Sequence, residues 1–210
     1  MTQSALAGTG RCGCTLERHT PKLVVVTGGP GAGKTAVLEL VRRHFCSHVV
    51  VLPEAASIVY GGGFPRTEGG PARRAAQRAI FHVEVELERM VTEEAAAAVA
   101  LCDRGTVDGL AYWPGTPDEY WSQLGTTLER ELARYAAVIH LRTPPRNHYN
   151  HVNPLRIESA ELAARIDERI EAAWAKHPRR FIVASEHRFV GKADHALALV
   201  EAEVPACCAD

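Results

Sequence analysis

The chain has 210 residues, of which 46% are hydrophobic and 23% charged, an ordinary globular composition able to bury one core with embellishments. Its formal net charge of −1 argues against a broadly basic surface for nucleic acid, and no apolar run approaches the roughly 18 residues of a membrane-spanning helix. Of 24 basic residues only four are Lys; the Arg excess fits either a coding habit or a need for planar donors facing phosphate.

Residues 1–20 are small, polar and Gly-rich, and read as a flexible arm. They lack the charged start and apolar block of a secretory leader, so a cytoplasmic, reducing location is expected. One domain is expected over 21–204, with 205–210 as a tail. Leu23-Val24-Val25-Val26 is a continuous apolar run rich in β-branched residues, the mark of a strand covered on both faces in a parallel sheet. Gly28 to Gly33 interrupts it, and Val37, Leu38, Val41 and Phe45 then recur along one helical face. Val49–Leu52 is the second strand, stopped by Pro53, and 61–71 is a Gly/Pro-rich loop. A long helix from about Ala72 to Ala98 runs into a third strand, Val99–Cys102, which ends at Asp103. After a loop at Pro114–Pro117, a helix is expected over Asp118–Tyr135. Val138–Leu141 is the fourth strand, ended by Pro144-Pro145. The polar stretch Arg146–Pro154 leads into a helix carrying Leu162, Ile166, Ile170 and Trp174 at four-residue spacing. Phe181–Val183 is the fifth strand and Asp194–Glu203 the closing helix. Five alternations of strand and helix predict a three-layer α/β fold with a five-stranded, mostly parallel sheet.

Gly28-Gly29-Pro30-Gly31-Ala32-Gly33-Lys34-Thr35 fits G-x-x-x-x-G-K-[ST], and a strand leads in while an amphipathic helix leads out. The mechanism demands that context. Glycines let backbone N–H groups converge on phosphate oxygens, and the helix start adds its positive dipole end. Lys34 can reach the outer phosphates of a nucleoside triphosphate, and the Thr35 hydroxyl can ligate Mg²⁺.

Ligands of open α/β sheets sit beyond the carboxyl ends of the strands, so acids placed there are informative. Asp103 ends strand three and can hold Mg²⁺ directly or through water. Glu54 follows strand two, where it can reach an acceptor hydroxyl or simply favour a helix N-terminus. Arg104 adjoins Asp103 and can hold a phosphate or carboxylate, or form a surface ion pair. Arg156 and Arg165 lie where a helical lid folds over a nucleotide; each can balance charge on a transferring phosphoryl group or pair with Glu158 and Glu161. Arg66 in the Gly-rich loop borders an expected acceptor pocket.

Six cysteines stand at 12, 14, 46, 102, 207 and 208. Cys12, Cys14, Cys207 and Cys208 could together ligate zinc, but their spacings match no common zinc module. They read instead as tail cysteines without a structural duty. His148 and His151 read as solvated loop residues.

Gly28–Thr35, Leu52-Pro53-Glu54-Ala55-Ala56, Cys102-Asp103-Arg104-Gly105 and Gly109-Leu110-Ala111-Tyr112 together resemble the small AAA-type P-loop proteins grouped with NadR-type nicotinamide riboside kinases. Asn153–Glu158 is similar to that group's lid. A looser likeness reaches thymidylate and deoxynucleoside kinases, which carry an acid after strand two and an acid-Arg pair after strand three. The resemblance covers about residues 22–203. It implies strand order 2-3-1-4-5, a helical lid, Mg²⁺, and ATP as the nucleotide, with GTP compatible. It also implies Glu54 as the base for an acceptor hydroxyl, although Ala55 departs from those kinases' Pro-Glu-Pro. Gln77 resembles their base-reading glutamine, and Phe81, one turn on, can stack; an exposed Gln beside a packed Phe is the plainer alternative. No N-K-x-D or D-x-x-G of a GTPase is present. Two functions fit. One is phosphotransfer to a small nucleoside-like acceptor, without nucleic acid or membrane. The other is a nucleotide-gated switch that acts on a protein partner.

Overall fold

The computed structural model describes residues 6–67, 69–144, 159–185 and 189–208. Five strands form one sheet: β1 (Lys22–Thr27), β2 (Val49–Leu52), β3 (Val99–Asp103), β4 (Ala137–Leu141) and β5 (Arg180–Val183). All pairings are parallel, in the order β2-β3-β1-β4-β5. The register places Val26 beside Asp103 on one side and Ile139 on the other. The apolar run of β1 therefore feeds two cores. Val24 and Val26 pack with α1 (Lys34–His44) and α8 (Phe189–Glu201), while Val25 packs with Leu52, Trp113, Tyr120 and Trp174 on the opposite face. That opposite layer holds α3 (Gly70–Glu94), α5 (Pro117–Leu124), α6 (Leu128–Leu132) and α7 (Ala160–Ala173). Two short helices, α2 (Ala55–Gly61) and α4 (Gly109–Tyr112), stand near the carboxyl ends of β2 and β3; a 3₁₀ turn at Thr106–Asp108 precedes α4.

The order 2-3-1-4-5 and the three layers are as expected. Several boundaries are not. The long helix ends at Glu94 because Ala95 turns left-handed (φ 53°), and four residues then lead into β3. The single helix expected over 118–135 is two, since Gly125 ends α5 at φ 67° and the Thr127 hydroxyl caps a new helix. The closing helix begins at Phe189, five residues earlier than its Ala-rich pattern suggested. Residues 7–10 are paired rather than loose. Ala7 bridges Val50 antiparallel, Gly10 bridges Cys46, and the Gly8 N–H donates to the Val49 carbonyl at 2.9 Å. The arm thereby covers the edge strand β2, whose free N–H and C=O groups would otherwise invite another chain. The expected lid segment Asn153–Glu158, with Arg156, lies outside the described residues, as do His148 and His151. Among the described residues, no helix is long and apolar enough to cross a membrane.

Candidate nucleotide and acceptor site

β1 lies between β3 and β4, whose crossovers depart in opposite directions, so the crevice beyond its carboxyl end is the fold's natural ligand site. Gly28–Thr35 fills that place. Gly28 has φ 137°, and a Cβ there would lie 2.1 Å from the Leu141 carbonyl oxygen, a clash that neither backbone can relieve. α1 starts at Lys34 with no acidic residue in its first turn, leaving its positive end free for an anion. Thr35 is exposed at that start.

Lys34 Nζ donates to the carbonyls of Gly28 (3.0 Å) and Gly29 (3.5 Å). Loss of water around the ammonium, with the Arg104 cation nearby, lowers its pKa to about 8 against the pull of Asp103, Glu54 and Asp108. Asp103, one register step from the loop, is the second element. Burial raises its pKa, and the charges of Glu54 and Asp108 add to the rise, while Lys34 and Arg104 oppose it. Its Oδ1 is buried without a hydrogen-bond partner among the described residues. A buried, unpaired carboxyl oxygen beside a phosphate loop suits a hard divalent cation, so the residues present fit Mg²⁺.

Arg104 is the hub of the third element. Its backbone is left-handed (φ 75°), and its N–H donates to the Val26 carbonyl at 3.1 Å, which ties the turn after β3 to β1. The guanidinium donates from Nε to Glu54 Oε1 at 2.9 Å and from Nη1 to the Gly28 carbonyl at 3.4 Å. It also stands 3.7 Å from Asp108 Oδ2 and over the Tyr112 ring. Burial works to raise the Glu54 pKa, but Arg104, the Ser57 hydroxyl at 2.5 Å and Lys34 outweigh it and hold the carboxyl below its ordinary value. Glu54 is therefore ionised at neutral pH.

Beside these charges opens a cavity of about 1030 Å³. Glu54 and Tyr60 line it from the α2 side, Gln77 and Glu84 from α3, and Ile166 and Arg169 from α7. Arg66 reaches the wall and lies 5.1 Å over the Tyr60 ring. Of the other residues expected here, Phe81 is buried and does not line the cavity, and Arg165 is exposed on α7 away from the wall. Arg169, one turn further on, lines the cavity instead. It donates to the carbonyls of Leu110 and Trp113 at 3.5 and 3.3 Å.

Four residues escaped the sequence reading. Asp108, buried, accepts from Thr27 Oγ1 at 2.8 and 2.7 Å and from Trp174 Nε1 at 2.6 Å, locking the 3₁₀ turn to β1 and α7. Asp167 accepts from the Gly29 N–H at 2.8 Å and from the Thr143 N–H at 3.3 Å, and pairs with His140 Nε2 at 2.9 Å. Lys192 donates to the Ala32 carbonyl at 2.7 Å. These two brace the phosphate loop from α7 and α8. Glu84 is a buried carboxyl at the cavity wall, and burial with the charges of Asp108 and Glu88 pushes its pKa well up. A readable signal existed for Asp167 and Lys192. Each continues a buried helical row, Ala163-Asp167 and Lys192-Ala196, so each had to meet a partner inside.

Solved structures with this fold include NadR protein in complex with NR (TM-score 0.62, 18% identity), covering 90% of this chain and 53% of that one. A second NadR structure, in complex with NAD and AMP-PNP, gives a TM-score of 0.63 at 18% identity, with 90% and 51% coverage. Thymidylate kinase from Candida albicans gives 0.62 at 12% identity, covering 88% of this chain and 92% of that one. The chain thus spans about half the length of the NadR chains. No curated protein sequence matches significantly. A family profile described as AAA domain matches residues 23–189, and on that span, which holds the phosphate loop, Glu54, Asp103, Arg104 and α7, the chain belongs to the AAA domain family.

Proposed function

We propose that this protein binds a Mg²⁺-complexed nucleoside triphosphate on Gly28–Thr35 and moves its terminal phosphoryl group to a hydroxyl of a small, nucleoside-like acceptor. One observation carries the reading: Glu54 is an ionised carboxylate fixed by Arg104 where the phosphate loop meets a cavity large enough for such an acceptor. Lys34 and the loop N–H groups orient the phosphates. Thr35 and Asp103 would hold Mg²⁺, which when bound supplies charge neutralisation at the phosphates. Glu54 accepts the hydroxyl proton as the acceptor oxygen bonds to phosphorus, and the bond to the bridging oxygen breaks to release the diphosphate. Gln77 and Arg66 orient the acceptor, and Arg104 balances developing charge. ATP is the preferred nucleotide on the likeness to the kinases, and GTP is the competitor to test.

The experiment is diphosphate release with and without a panel of nucleosides and vitamin-like alcohols. Acceptor-dependent release is expected, falling about 10²- to 10⁴-fold in Glu54→Gln while triphosphate affinity persists. If no acceptor stimulates turnover and Glu54→Gln changes nothing, the transferase reading fails. One contact favours a second reading, a nucleotide-gated switch with a protein partner. The Gly29 N–H is held by Asp167 of α7, so a phosphate drawing on that N–H would be felt along the helix carrying Ile166 and Arg169.

A further inference from the structure

Five of the six cysteines and two histidines meet at the end of the molecule opposite the phosphate loop. Three separate segments bring them there. The arm supplies Cys12 and Cys14 with His19, the turn before β2 supplies Cys46 and His48, and the chain beyond α8 supplies Cys207 and Cys208. The approach is built into the backbone. Gly10 bridges Cys46 so closely that a Cβ on it would lie 2.8 Å from the His44 and Phe45 carbonyl oxygens. The His19 N–H donates to the Ala95 carbonyl at 2.7 Å, and the Ala98 N–H to the His48 carbonyl at 2.7 Å, which fixes both histidines at the amino end of the sheet.

The ligand atoms fall into two groups of four, each with all atoms within 4.8 Å of one another: Cys12, Cys46, His48 and Cys208, then Cys14, His19, Cys207 and Cys208. Bond lengths of about 2.3 Å to sulfur and 2.0 Å to nitrogen put two thiolates of a tetrahedral zinc about 3.8 Å apart, and a thiolate and an imidazole about 3.5 Å apart. The separations here are 3.5 Å from Cys12 Sγ and 3.3 Å from Cys208 Sγ to His48 Nδ1, 3.8 Å from Cys14 Sγ to His19 Nε2, and 3.8 Å between Cys207 Sγ and Cys208 Sγ. These four separations match edges of such tetrahedra, two in each group.

We propose that the chain carries a two-zinc site in which Cys208, the buried member common to both groups, bridges the ions through its sulfur. Cys12, Cys46 and His48 complete one tetrahedron, and Cys14, His19 and Cys207 the other. Five thiols release their protons to solvent on loading, and no sulfur changes oxidation state. A ligand set of sulfur and imidazole, four per ion with no open position, is that of a structural zinc rather than a catalytic one. Its position agrees, since catalysis in open α/β sheets belongs to the other end of the strands. The site clamps the arm and the C-terminal segment onto the amino ends of β2 and β3. The proposal gives a duty to cysteines whose spacing matches no zinc motif, because the ligands come from three segments far apart in sequence.

The test uses the untagged full chain, purified under reducing conditions with zinc supplied, and reads metal content by elemental analysis after gel filtration. Two zinc ions per chain are expected, together with the visible spectrum of tetrahedral, thiolate-bound cobalt after exchange with Co²⁺. Cys12→Ser and Cys14→Ser should each lower the content to one ion, Cys208→Ser should lower it in both groups, and Cys102→Ala, a cysteine within β3, should keep both. A zinc-free wild type, a content of one ion, or peptide mapping that finds these cysteines in disulfides under the same conditions overturns the proposal. Diphosphate release plays no part in the readout, so the outcome is independent of the proposed phosphotransfer.

Discussion

Asp167→Ala should expose how the phosphate loop keeps its shape. In the wild type one buried carboxylate accepts from the Gly29 N–H and His140 Nε2, both interior, and from the half-buried Thr143 N–H. Truncation leaves the first two without partners, and each orphaned buried donor costs about 1–3 kcal/mol. A loss of about 2–6 kcal/mol is therefore expected, a large share of the roughly 5–15 kcal/mol that holds a domain together. Asp167→Asn keeps one oxygen for the Gly29 N–H and should cost about 1–2 kcal/mol. Urea unfolding followed by circular dichroism measures both variants. Acid adds a second check. Burial works to raise the Asp167 carboxyl, but the His140 and Gly29 hydrogen bonds and the Arg142 cation bring it below its ordinary value. Its contribution is thus complete above the unfolded value of about 3.9 and lost as pH falls through the lower folded value. Asp167→Asn should flatten that acid limb. A destabilisation of Asp167→Ala below about 1 kcal/mol, or an unchanged acid limb in Asp167→Asn, would refute the bracing role.

Four more outcomes can be measured. With the free Lys34 near pH 8, triphosphate affinity in calorimetry should be flat below that pH and fall up to tenfold per unit above it, because the anion binds the protonated form; Lys34→Ala should weaken binding severely, a close charge pair being worth about 4 kcal/mol at an effective dielectric of 20. Glu84, raised by burial and neighbouring carboxylates, penalises the fold as pH climbs from its unfolded value of about 4.3 toward its higher folded value. Glu84→Gln should accordingly raise Tm at pH 7–8 by about 2–4 °C per kcal/mol recovered and leave it unchanged near pH 4, as seen by calorimetric melting. Gly28→Ala places a methyl against the Leu141 carbonyl and should destabilise by about 3 kcal/mol or more while abolishing triphosphate binding in the folded fraction.

The layers, the strand order and the phosphate loop were legible because each rests on local pattern. A β-branched run, a glycine string and an apolar stripe declare themselves within a dozen residues. Glu54, Arg104, Arg66 and Gln77 could be placed on the cavity because strand ends and the loop after them have a known relation to the crevice. Phe81 and Arg165 failed for one reason, namely that a helical face cannot be assigned to core, cleft or solvent until the helix has been rotated against its neighbours. Of the proposed zinc ligands, Cys12, Cys14, Cys207 and Cys208 could be grouped from the sequence, whereas Cys46, His19 and His48 stand on segments that only the finished sheet brings to them. Splitting of the helix at Gly125 was readable in retrospect, since Gly followed by Thr-Thr is a stop and a new cap.

The strand order has a consequence for how the chain comes off the ribosome. Val24 and Val26 are covered on both sides only when β3 and β4 are in place, and the nearer partner begins with Val99 opposite Lys22, 77 positions later. At a synthesis rate of about 5–20 residues per second, the apolar run of β1 waits about 4–15 s without a neighbour. Over that interval the Leu23–Val26 run of β1 is a short, uncharged, aggregation-prone segment. The nascent protein should then depend on chaperone cover until Asp103 has emerged, and pulse-labelled aggregation during translation should peak before that point.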